Sequence, residues 1–120
     1  MLLLLAHMAA AGCFPAPEFS VESDVYVGRN RAGAPFVGPL RWRRFLREVV
    51  TPEFPGFTVL ESQGFWHDAP ESSRVLVILH APGREEAVDV IADAYRDRFG
   101  QEAVLVTHRA VTGLICAAEP

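Results

Sequence analysis

Arg74-Val75-Leu76-Val77-Ile78-Leu79-His80 is an almost unbroken apolar run. That pattern fits a central strand covered on most of its surface, so the rest of the chain has to supply the cover. The clearest cover lies just downstream. Val88, Ile91, Ala92, Tyr95 and Phe99 recur at helical spacing and form one apolar stripe. Glu85, Glu86 and Asp89 open this segment and Arg96 and Arg98 close it, both favourable to a helix dipole. Gly100 supplies the stop. Half of the 120 residues are apolar and 22% are charged, which is enough to bury a core in one domain.

The remaining elements follow the same reasoning. Residues 23–28 alternate as a strand, and residues 29–35 have loop composition. A helix starts at Gly38-Pro39, with Trp42, Phe45, Leu46 and Val49 on one face, and ends at Thr51-Pro52. Phe57 to Trp66 reads as a strand, Asp68-Ala69-Pro70 as a turn, and Ala103 to Cys116 as a last strand with a bulge or a short extra strand. The order is β-α-β-β-α-β. It predicts an α+β, ferredoxin-like βαββαβ fold: a four-stranded antiparallel sheet with two helices on one face, the third strand lying beside the first and second. The domain is expected over residues 23–116, followed by a tail at 117–120.

Upstream, Leu2 to Ala11 is a greasy run broken only by His7. Its length matches the apolar region of a signal peptide and falls short of the ~20 residues of a membrane-spanning helix. Residues 1–12 are expected as a lipoprotein-type signal peptide and 13–22 as a tether. Three readings of this region are open. Ala10-Ala11-Gly12-Cys13 resembles the cleavage motif of bacterial lipoproteins, Cys116 could form a disulfide with it, and residues 1–12 could instead be an ordinary first element. The Pro-rich stretch Phe14 to Glu18 suits a tether, so lipidation of Cys13 is the expectation, with anchoring at the bacterial cell envelope.

The topology gathers polar groups at one end of the sheet. Arg29, Trp66, His67, Glu71, Gln101 and Glu102 share that edge. There Arg29 would bind an anionic group, with Trp66, Gln101 and Glu102 as further ligand-binding candidates, and His67 or Glu71 would exchange protons as catalytic candidates. The competing reading is an Arg–Glu network that closes the edge. A hairpin turning at 67–73 would pair Trp66 near Arg74 and Leu60 near His80, leaving His67 and His80 roughly 20 Å apart. They would not share a metal, so neither metal nor cofactor is expected. Arg29, Arg31, Arg41, Arg43, Arg44 and Arg47 form a cationic stretch suited to phosphate-bearing lipid, polysaccharide or an acidic partner, or simply a solvated helix face. The net charge of −4 argues against a nucleic-acid binder.

Val49 to Leu60, with Gly64-Phe65-Trp66, Ser73 to His80 and Tyr95 to Glu102, resembles domain-of-unknown-function family 3574 (DUF 3574). Tyr26-Val27-Gly28-Arg29 and Trp42-Arg43-Arg44-Phe45-Leu46 match as well, so the resemblance runs from about Asp24 to Val106. Many members look like exported lipoproteins, and the resemblance implies no activity. Phe65, His67 and the Gly38 to Arg41 opening depart from the family pattern. The expectation is an exported, lipid-anchored binding or accessory domain whose candidate partners are a second copy met through its free sheet face, an anionic ligand or an envelope protein. The alternative is a small extracytoplasmic enzyme with a polar site at the sheet edge.

Overall fold

The computed structural model describes residues 12–29 and 36–118. Strand β1 (Gly12–Pro15) and a 3-10 turn (Pro17–Phe19) precede β2 (Val21–Gly28). Helix α1 (Pro39–Phe45) runs on as a π turn (Leu46–Val50), followed by β3 (Thr58–Trp66) and β4 (Ala69–His80). Helix α2 (Glu85–Phe99), β5 (Leu105–Ala110) and β6 (Leu114–Ala117) complete the chain. The protein is α+β. Its main sheet is antiparallel in the order β3-β4-β2-β5, and β1 and β6 form a separate two-stranded ribbon.

The apolar run lies in β4, between β2 and β3. Side chains alternate across a strand, so Arg74, Leu76, Ile78 and His80 of β4 are buried on one face beside Ser23, Val25 and Val27 of β2. Both helices cover this face. The α2 stripe is buried as its spacing predicts, at Val88, Ile91, Ala92, Tyr95 and Phe99. Trp42 and Phe45 of α1 meet it, with Phe45 edge-on to Tyr95 at 5.3 Å and Tyr95 against Phe99 at 4.6 Å. Gly38 caps α1 and Pro39 opens it, as expected. The π turn widens the last turn, with the Thr51 N–H donating to the Leu46 carbonyl. As a result Val50, rather than Val49, is the residue fully buried at that end.

Three expectations change. Residues 13–22 are not a tether: they carry β1, the 3-10 turn and the first residues of β2. The 117–120 tail loses Ala117 to β6, where it pairs with Gly12. The β3–β4 hairpin turns at His67-Asp68, both left-handed (φ 49° and 65°), so Trp66 pairs with Ala69 and Leu60 with Val75. That is five residues away from the expected pairing, because Ala69 and Pro70 continue β4 instead of turning the chain. Beyond Ser73 only β3 flanks β4 among the described strands, an edge position where proline is tolerated. The expected leader lies outside the described residues except for Gly12.

The ribbon is fastened to the domain by backbone bonds: Ala16 N–H to Gly113 O, and Val111 N–H to Ser20 O. Gly113 sits so close that a Cβ there would collide with the Phe19 carbonyl oxygen and approach that of Ala16 to 3.0 Å.

Candidate functional site

At the Gly28 end of the sheet the expected polar residues divide between its two faces. On the helix side, Glu61 takes Arg29 at 3.4 Å and Arg74 at 3.2 Å. Arg74 is only 2% exposed, donates to the Val37 carbonyl at 3.1 Å and lies over the Trp42 ring. Arg29 stacks on Phe36, and its backbone links Ser72 to Val37. Arg29 Nε has no acceptor among the described residues. The side chain expected to bind an anion is therefore engaged by an Arg–Glu network, the competing reading of this edge.

On the open side, Glu71 and Gln101 close over Gly28. A Cβ at Gly28 would meet Glu71 Oε1 at 2.6 Å and Gln101 Oε1 at 3.1 Å. Tyr95 approaches the same residue from beneath, donating its hydroxyl to the Gly28 carbonyl. Burial pushes the Tyr95 phenol up to about 12, with Glu71 adding to the rise and Arg74, Arg29 and Arg41 opposing it. It is thus a neutral donor, not a proton acceptor. The backbone of Trp66 and His67 lies further along, toward the hairpin tip. Glu71 pairs with Gly64, and His67 lies at the hairpin tip about 10 Å further along. Glu102 is exposed beside Gln101. His67 lies in the turn that precedes β4 and His80 at the far end of that strand, on the order of 37 Å apart, which is further than the expected pairing implied.

Cys13 is bonded to Cys116. A lipid thioether needs the same sulfur, so lipidation as the role of Cys13 gives way to the disulfide. Once β1 pairs with β6, the two cysteines are register partners and their sulfurs meet.

A polar chain that no local sequence signal marks runs from the buried Ser23 and His80 out to the exposed Asp89. Ser23 Oγ lies 2.7 Å from His80 Nε2 and 2.7 Å from His108 Nδ1. His80 Nδ1 reaches the Ala81 carbonyl at 2.7 Å, and His108 Nε2 reaches Asp89 at 3.0 Å. The chain joins β4, β2, β5 and α2. Ser23 is fully buried, which places its hydroxyl out of reach of a substrate. Its role is structural: Ser23→Ala is expected to lower the unfolding free energy by about 2 kcal/mol, because two imidazoles lose their shared partner. Urea denaturation checks this.

The face of the sheet away from the helices has no cover among the described residues. Pairing aligns Leu105, Tyr26, Val75 and Leu60 in one row across all four strands. Leu105 is 61%, Leu60 51% and Tyr26 41% exposed. The next row is Thr107, Asp24, Val77 and Thr58, then Arg109, Glu22 and Leu79, where Arg109 and Glu22 form a 3.0 Å ion pair. Burial and the neighbouring Glu22 hold the Asp24 carboxyl above the usual carboxylate range, with Arg109 partly opposing.

The chain is similar in fold to a phage SAM lyase in its apo state, with a TM-score of 0.61 and 16% identity, covering 82% of this chain and 90% of that one. No curated protein matches it. The sequence match is to DUF3574, described as a protein of unknown function, and spans residues 22–113, from the start of the main sheet to the link before β6. The chain belongs to this family.

Proposed function

We propose that the protein is an extracytoplasmic interaction domain of ferredoxin-like topology that associates with a second copy of itself through the uncovered sheet face. The observation that carries this reading is the row Leu105, Tyr26, Val75 and Leu60, in which all but the half-buried Val75 are exposed. A contiguous apolar strip of this kind is the usual mark of a contact surface. A two-fold axis parallel to the strands would lay β5 of one copy over β3 of the other. Leu105 would then meet Leu60 and Tyr26 would meet Val75, a large residue against a smaller one, in a self-complementary contact. The sheet order β3-β4-β2-β5 supports the ferredoxin-like reading, and the Cys13–Cys116 disulfide supports export to an oxidising compartment.

Sedimentation velocity tests the association. The wild type is expected to dimerise. Tyr26→Asp should raise the dimer dissociation constant about tenfold or more with unchanged far-ultraviolet dichroism, because it buries a charge in the contact. Asp24→Asn should strengthen association by removing a carboxylate already disfavoured by burial. A monomeric wild type would refute the reading.

One observation favours a second reading, a small enzyme. Glu71 and Gln101 converge over Gly28 at the sheet end, in a fold shared with a lyase. Calorimetric titration with SAM distinguishes the two. Binding that Glu71→Gln weakens supports the enzyme, whereas no heat in either protein removes it.

A further inference from the structure

One groove brings together side chains that the sequence separates by fifty residues or more. Arg41, Arg44 and Glu48 from α1 and its π turn face Arg98 and Phe99 at the end of α2, around an open space of 310 Å³. Only Arg41 and Arg44 belong to the arginine-rich stretch noted in the sequence; Arg98 comes from the opposite helix.

The guanidinium groups are oriented by the aromatic core beneath them. Arg41 lies over the Phe99 ring at 5.0 Å and Arg98 over the Phe45 ring at 5.6 Å. Arg41 is also tied back to the Phe36 carbonyl at 3.3 Å. Arg98 and Arg44 converge on one carboxylate, Glu48, at 3.2 Å and 4.0 Å. Three permanent cations thus line the groove against one anion. The Glu48 carboxylate marks the point at which a multi-oxygen anion is gripped from both helices.

The geometry points to a binding site for a phosphate monoester or similar dianion in this groove, held by Arg98, Arg44 and Arg41, with Glu48 as an internal occupant that the ligand displaces. Guanidinium groups suit such a ligand because they offer paired N–H donors to two oxygens at once. A dianion is also a better counter-charge than Glu48 for three arginines. The same phosphate chemistry is offered by a soluble ester or by the headgroup of an anionic lipid.

The test uses the full oxidised chain in two arms. The first titrates inorganic phosphate and glycerol phosphate, followed by amide shifts in NMR. The second measures co-sedimentation with phosphatidic acid in phosphatidylcholine vesicles. Arg98→Gln is expected to weaken binding about tenfold, and Glu48→Gln to strengthen it about threefold by removing the competitor. Arg47→Gln makes the same change in net charge on an exposed residue outside the groove and should alter binding less than about twofold. This pattern with soluble phosphates identifies a free ester as the source. The pattern with vesicles alone identifies a headgroup. Equal losses in Arg98→Gln and Arg47→Gln would reduce the effect to general charge attraction and overturn the site. So would no binding in either arm, or weaker binding by Glu48→Gln. Wild-type dichroism in each variant separates these results from misfolding.

Discussion

Tyr95→Ala should lower the unfolding free energy by about 4 kcal/mol, a large part of the ~5–15 kcal/mol that holds a domain of this size. Tyr95 is fully buried where the two helices and the sheet meet, with Trp42, Phe45 and Phe99 against its ring. Its removal opens a cavity in the aromatic core and strips the Gly28 carbonyl of its donor. Tyr95→Phe keeps the ring and should cost about 1 kcal/mol. The phenol also sets an alkaline limit. Its proton is held more tightly in the folded chain, up to about 12 against an ordinary 10.0. In that window the folded state binds a proton that the unfolded state has released. Stability should therefore be independent of this group below pH 10 and fall as pH rises from 10 to about 12. Tyr95→Phe should remove that component, and chemical denaturation at stepped pH checks both parts.

The second large effect belongs to the disulfide. Replacing both Cys13 and Cys116 with serine should cost about 4 kcal/mol, since the bond spans 103 positions and most of its contribution comes from restricting the unfolded chain. The same change should release the ribbon first. Strands β1 and β6 are four residues each and exposed throughout, too little to hold together unaided. Guanidinium denaturation with and without reductant gives the magnitude, and amide exchange at Phe14 and Ile115 gives the order of melting. A loss under about 1 kcal/mol, or a ribbon protected after reduction, would contradict this account. Mass analysis of the purified protein settles the chemistry at Cys13: a chain lighter by two hydrogens than its dithiol form is expected, and an acylated cysteine would contradict it.

What could be read from the sequence follows from which periodicities are local. The α2 stripe needs only the 3.6-residue repeat, and every residue assigned to it is buried. The place of β4 between two neighbours was legible from the run at 75–79 alone. Register was not, because it depends on the hairpin turn. A His-Asp pair in left-handed conformation carries a weaker signal than the Asp68-Ala69-Pro70 stretch beside it. With the observed register the backbone of Trp66 and His67 lies beyond Glu71, Gln101 and Gly28, toward the hairpin tip. Arg74 and His80 were visible as the polar ends of an inward-facing alternation with Leu76 and Ile78, and that pattern could have flagged both as buried. Their partners Glu61 and Ser23 lie on other strands and appear only once pairing is known. The role of Cys13 is not legible locally, because a Pro-rich stretch reads as a tether, while β1 gains its order from Cys116 and Gly113 at the other end of the chain.

The most direct test of the central claim, that the bare sheet face is where this protein meets its partner copy, is an isotope-filtered NMR experiment on mixed labelled and unlabelled chains. Cross-peaks between the Leu105 methyls of one copy and the Leu60 methyls of the other are the predicted result. Intermolecular contacts confined to the helices, or none at all at concentrations where the chain self-associates, would contradict it.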